Sequence, residues 1–470
     1  MKHGLHRPGG LRRELAIPNP RHFIPICEAL EKGWQPTIEP LLSQIKLGIS
    51  RPVPSAGVRS IKSKGEPTRD LNKAMSRSGA RYVLKADVQR FYPSIYTHSI
   101  PWALHGKSVA KANRSPSLVG NAIDKAVRDA QDGQTIGVPI GPDTSAIIAE
   151  CLMAAVERDL IAQVGKLNGW RYTDDIELAF STVGEAERGL SALMEVLAGY
   201  EMSLSPAKTA ILELPEALGK RAIRDFRDFA FRDTEAKQRQ DLLSYFDLLF
   251  DAIQLDRTGH YAAYAISRLR EVKVYTGNWS LVQASIMQLL IVEPSCALQV
   301  AAFMDCQCAL GHVVEHSALT ETTERLASRH APLGHGSELA WALWLCIAHG
   351  AKVSQATANA VSKMSDNVVA LLALDAKQRG LVDGTLDVGL WESFLSTDEL
   401  DGPNWLLSYE AEIKGWLSGS GTTSHIDAHP FFNALKTNNV QFYTPALGVV
   451  GAAAGSQDLA LTTSGVSRPI

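Results

Sequence analysis

"GWRYTDDIELAF" (169–180) sets two adjacent carboxylates, Asp174 and Asp175, between two apolar runs. Neighbouring like charges repel, and Asp is a poor strand residue. Ile176, Leu178 and Phe180 alternate with Glu177, Ala179 and Ser181, the period of a half-buried strand. "GWRY" supplies a partner strand, which leaves Thr173, Asp174 and Asp175 at a hairpin turn. Taken alone, the pair needs no more explanation than the fitness of Asp for turns.

A third acid changes that reading. "RYVLKADVQRFY" (81–92) reads as a strand with Val83, Lys85 and Asp87 on one face and Tyr82, Leu84, Ala86 and Val88 on the other. If this strand lies beside the hairpin, Asp87 and Asp174 converge on one sheet edge. Carboxylates gathered there repel unless divalent cations sit between them. Magnesium suits such a site, being held by one or two carboxylates plus substrate phosphates. Two such ions roughly 4 Å apart can activate a 3′-hydroxyl and neutralise a departing pyrophosphate.

The 470 residues leave room for two or three domains at about 150 residues each. With 45% hydrophobic and 21% charged residues the composition is ordinary, and no run is long enough to cross a bilayer. The basic opening "MKHGLHRPGGLRREL" leads into no apolar signal core, and six cysteines do not make a disulfide framework in so long a chain. These features lead us to expect a cytoplasmic protein with no membrane partner. Charge is unevenly spread: residues 1–114 hold 20 Lys and Arg against 7 Asp and Glu, and the remainder 27 against 43. A basic block ahead of an acidic remainder suits a polyanionic partner, although a plain surface imbalance would look the same.

From 81 to about 214 strand-like and helix-like pieces alternate, as in an α+β sheet backed by helices. "GPDTSAIIAECLMAAVERDLIAQVG" (141–165) reads as a long helix with Asp143, Thr144 or Ser145 as its cap and Ile147, Ile148, Cys151, Leu152 and Ala155 as its apolar stripe. Beyond about 235, long apolar-periodic segments run to about 417 with few strand signals, an all-α domain in the manner of stacked helix pairs. "SGSGTTS" (418–424) has linker composition. In "CQCALGHVVEH" (306–316), Cys308, His312 and His316 recur every four residues, but one helix face rarely supplies so many zinc ligands, and packing explains them better.

Four blocks in order make the chain recognisable. "LKADVQRFYPSIYTHSIPWALHGK" (84–107), "GVPIGPDTSAIIAE" (137–150), "RYTDD" (171–175) and "MSLSPAKTAIL" (202–212) resemble motifs A to D of prokaryotic reverse transcriptases, specifically the abortive-infection and defence-associated class; "LAIPNPRHF" (15–23) is similar to its N-terminal region. The resemblance implies a reverse-transcriptase fingers–palm core followed by an all-α C-terminal domain. Its boundaries are an N-terminal basic segment and fingers at 1–80, a palm at 81–235, a helical domain at 236–417, and a linker and tail at 418–470.

Carried over by position, the resemblance implies Asp87, Asp174 and Asp175 as metal ligands for Mg²⁺, with Mn²⁺ as an alternative. It implies Tyr92 as the ring that excludes a ribose 2′-hydroxyl. Lys208 becomes the acid or charge at the leaving pyrophosphate, with a solvated lysine as the plain alternative. Gly137, Pro139 and Gly141 form a loop that approaches the nascent pair. Lys62, Lys64 and Arg69 are basic candidates for the triphosphate, and which of them serves stays open. Ile140 departs from the Gln of many templated enzymes.

The implied activity is that of an RNA-directed DNA polymerase, transferring deoxynucleotides from dNTPs in antiphage defence. Synthesis would be untemplated and primed on a protein tyrosine, or directed by a dedicated noncoding RNA, in a homo-oligomer. Tyr443 in "NNVQFYTPALG" is the priming candidate if the tail is mobile; its competing role is to anchor the tail beside Phe442. The rival reading is a non-catalytic nucleic-acid-binding oligomer of polymerase-like fold.

Overall fold

The computed structural model describes residues 1–57, 59–63, 69–418 and 424–445, so Lys64 lies outside the described residues. Contacts divide the chain into two compact units, one of Met1–Ile17 with the described residues from Lys220 onward, the other of Pro18–Gly219.

In the first unit β1 (Lys2–Arg7) and β2 (Leu11–Ala16) pair antiparallel across Gly9 and Gly10, both at positive φ. Every described element from Arg221 to Thr437 is helical. Tyr245, Phe303, Trp391, Trp405, Tyr409 and Phe432 are fully buried in one apolar cluster there. Two boundaries differ from expectation. Residues 1–17 group with the helices rather than with residues 18–80, because His6 and Arg12 both engage the buried carboxylate of Glu338. A buried carboxylate is costly without such partners. The tail also contains structure: Pro430–Thr437 is a helix whose Phe431, Phe432 and Leu435 pack into the core. No single described helix is long and apolar enough to cross a membrane.

The second unit carries a short hairpin, β3 (Pro52–Pro54) with β4 (Ile61–Ser63), and a four-stranded sheet. The sheet comprises β5 (Tyr82–Asp87), β6 (Asn168–Tyr172), β7 (Asp175–Phe180) and β8 (Ala210–Glu213), in the antiparallel order β6-β7-β5-β8. Leu84, Ala86, Val88, Ile176 and Leu178 join a core with Ile147, Ile148, Cys151, Leu152 and Ala155 of the Asp143–Val164 helix. Burying each large aliphatic side chain is worth about 1.5–3 kcal/mol, so this face fixes the strand register.

Directly opposed residues share a face, and the register pairs Lys85 with Glu177 and Asp87 with Asp175. The second face therefore collects the charges. On it Arg77 forks onto Glu177 at 2.7 and 3.0 Å and reaches Glu216 at 3.0 Å. The long helix is capped differently from expectation. Pro142 is its N-cap residue, and Asp143 accepts from the Arg59 guanidinium at 2.8 Å and from the Ser60 amide at 3.0 Å.

Candidate active site

β5 ends at Asp87 because the sheet pairing ends there, and its register partner Asp175 opens β7. Thr173 and Asp174 form the two-residue turn from β6 to β7, with Thr173 at φ +53°, the positive φ that a tight hairpin turn requires. Three carboxylates thus meet at one end of the sheet by backbone geometry alone. Burial, then the charges of Asp87 and Asp175, push the Asp174 carboxyl up to about 7 against a backbone hydrogen bond and Lys208.

Two cations face this negative charge. Lys208, in a 3-10 turn at Pro206–Lys208, donates to Asp87 Oδ2 at 2.8 Å while 65% exposed. The Ser205 amide donates to the Asp87 carbonyl at 2.7 Å, which ties this turn to β5. Arg69, in the Arg69–Ser76 helix, donates to Asp175 Oδ2 at 2.6 Å and stacks on Trp170 at 4.8 Å. Of the basic candidates, Arg69 is brought to the carboxylates, and Lys62 sits exposed on β4.

Tyr92 is half-buried in the short Phe91–Ser94 helix, and its carbonyl accepts from Val138 at 3.0 Å. Phe91 is buried in the core. Gly137, at φ +94°, donates to the Ile95 carbonyl at 2.8 Å; a Cβ there would meet the Pro93 carbonyl oxygen at 3.3 Å. Gly141 lies at φ +122°, and Pro139 and Ile140 are half-buried between the glycines. The loop from 137 to 141 therefore runs directly beside Tyr92.

Tyr443 packs against the core of the helical unit. Its hydroxyl donates to Asp375 Oδ2 at 2.7 Å and its ring packs edge-on to Trp416. Burial and the Asp375 carboxylate raise its pKa, so the hydroxyl is a poorer nucleophile than an exposed one. His312 stacks on Trp279 at 4.9 Å and meets the Val274 carbonyl at 3.0 Å, a packed histidine.

The residues that hold the carboxylate turn escaped the sequence reading. Arg171 is buried and donates to both oxygens of Glu150, at 3.1 and 2.9 Å, and to the Thr173 carbonyl at 2.9 Å. Ser50 donates to Glu150 and accepts the Thr173 amide at 2.8 Å. Glu157 accepts the amides of Leu47 and Gly48 at 2.8 and 3.3 Å. The available signal was spacing: Glu150 and Glu157 are seven residues apart in an apolar helix, hence on one buried face.

No curated protein matches the chain. Among solved structures it is similar to that described as "Structure of telomerase from Candida albicans in complexe with TWJ fragment of telomeric RNA", at 10% identity and a TM-score of 0.26. The match covers 79% of this chain and 66% of that one. A family model described as "Reverse transcriptase (RNA-dependent DNA polymerase)" matches residues 18–243, so the segment that gathers Asp87, Asp174 and Asp175 is a reverse transcriptase domain, an RNA-directed DNA polymerase module and thus a nucleotidyltransferase.

Proposed function

We propose that this chain is a magnesium-dependent DNA polymerase of antiphage defence, adding deoxynucleotides from dNTPs to a growing DNA. The observation that carries the reading is the register pairing of Asp87 with Asp175 beside the Asp174 turn. The donor set is all oxygen, and burial together with the charges of Asp87 and Asp175 raises the Asp174 carboxyl despite Lys208. Such a set fits hard divalent cations, with Asp87 and Asp174 as the holders and Asp175 beside them. When bound, such ions would supply Lewis acidity at the attacking oxygen and the departing pyrophosphate.

The chain's own groups do the rest. Lys208 reaches the carboxylates from an exposed turn, so it can swing to a phosphate and hold or donate a proton there. Arg69 presents a planar fork suited to phosphate oxygens once it leaves Asp175. Tyr92 closes the sugar side against a 2′-hydroxyl, and the backbone of Gly137 and Gly141 comes close to the base pair. The resemblance of the four motif blocks supports the defence role, a cytoplasmic homo-oligomer, and synthesis that is either protein-primed or directed by a noncoding RNA.

The test is incorporation of labelled dNTPs and NTPs by the purified full chain with Mg²⁺, Mn²⁺ or chelator. Metal-dependent use of dNTPs in preference to NTPs is the expected result. A native preparation that incorporates neither would favour the non-catalytic binding reading.

A further inference from the structure

The sequence "HAPLGHGSE" (330–338) turns the chain back on itself between two helices of the helical unit. His330 closes the His316–His330 helix, Gly334 takes φ +66°, and His335 is the N-cap of the Gly336–His349 helix. The His335 amide donates to the His330 carbonyl at 3.1 Å, which draws the two rings together. Glu338 then lies one turn into the second helix, its side chain fully buried.

Three ligand atoms converge there. His330 Nδ1 and His335 Nδ1 are 3.0 Å apart, and they lie 3.4 and 3.7 Å from Glu338 Oε1. A tetrahedral ion with bonds near 2.0–2.1 Å has ligand-to-ligand edges of about 3.3–3.4 Å, which these separations bracket. The outer contacts are those of a built site. Arg12 forks onto both Glu338 oxygens at 2.7 Å, Ser337 donates to Oε2 at 2.9 Å, and His6 Nδ1 meets Oε1 at 3.0 Å. Groups of this kind orient a metal-binding carboxylate. His330 is almost wholly buried and its Nε2 has no partner among the described residues, so its polar engagement is all on the Nδ1 edge.

We propose that His330, His335 and Glu338 bind a transition-metal ion, zinc in preference to magnesium, at a site separate from the polymerase carboxylates. Two imidazoles and one carboxylate select zinc over magnesium by donor softness. Three protein ligands leave a fourth position for water, and the half-exposed His335 gives it access to solvent.

The full chain, stripped with chelator and dialysed, is titrated with Co²⁺ in excess Mg²⁺, which occupies oxygen-only sites. One equivalent of cobalt should give the strong visible bands of a four-coordinate ion, bleached by one equivalent of Zn²⁺. His335→Gln should lose those bands and weaken zinc binding by roughly 100-fold or more. The exposed His316→Gln should keep both. His335→Cys restores a ligand and should return cobalt binding with a thiolate charge-transfer band, which separates ligand loss from misfolding. Wild-type protein without four-coordinate bands, or bands unchanged in His335→Gln, would overturn the site.

Discussion

Glu150 and Glu157 meet Arg171 on β6, whereas Asp87, Asp174 and Asp175 meet Lys208 and Arg69 at the end of the same sheet. Arg171 is 3% exposed and Glu157 is held by backbone amides; Lys208 is 65% exposed. The first cluster has counter-charges that cannot leave, so its energy goes into position. The second has a counter-charge on an exposed stem that can leave, so its carboxylates remain available to other cations. On the proposed function, structural and chemical acids differ in who neutralises them.

The sharpest break comes from the second cluster. Asp87→Asn and Asp174→Asn should each lower dNTP incorporation by roughly 10³-fold or more, about 4 kcal/mol in the barrier, with unchanged circular dichroism. Incorporation within about tenfold of wild type in either variant would remove these carboxylates from the reaction.

The first cluster should respond in the opposite currency. Arg171→Met leaves Glu150 and Glu157 buried without their cation and should cost about 3–5 kcal/mol, read as a lower denaturation midpoint. A loss under about 1 kcal/mol would show that the amides on Glu157 and the Ser50 hydroxyl on Glu150 suffice for the two acids.

The strand period of 169–180 and of 81–92 exposed the sheet and its acids, because alternation is local and each burial decision is made two residues apart. Ion pairs are not local. Arg171 and Glu150 are 21 residues apart and Arg12 and Glu338 are 326 apart, so nothing in either segment names its partner. The N-terminal hairpin was misassigned for the same reason: its basic residues look like a polyanion surface, yet Arg12 serves a buried glutamate. Tyr443 followed a linker composition, but the "FFNAL" face after that linker anchors the tail.

A smaller effect sharpens the comparison through pH, in chelator. The unfolded chain ionises Asp174 near 4, whereas the folded carboxyl does so at about 7. Between those values the folded state holds a proton that the unfolded state lacks, so stability should fall as pH rises from 4 to 7. Asp174 is half-buried, which reduces the effect to about 1–3 kcal/mol. Asp174→Asn should remove this part of the slope, and an unchanged melting profile from pH 4 to 7 would show that burial and the neighbouring carboxylates do not raise this carboxyl.

The smallest expected effect is at Tyr443, the tyrosine whose hydroxyl is committed elsewhere. Asp375, which accepts that hydroxyl, also accepts Arg379 Nε at 2.8 Å, so removal of the hydroxyl leaves the carboxylate paired on its other oxygen. The ring keeps its packing on Trp416 in Tyr443→Phe, and the buried Asp375 keeps its Arg379 pair. About 1 kcal/mol of stability should be lost, with no change in dNTP incorporation. If product is attached to protein, denaturing electrophoresis of Tyr443→Phe should still show the label attached. Loss of that label with incorporation otherwise intact would mean that the Asp375 bond opens and that an anchored tyrosine primes.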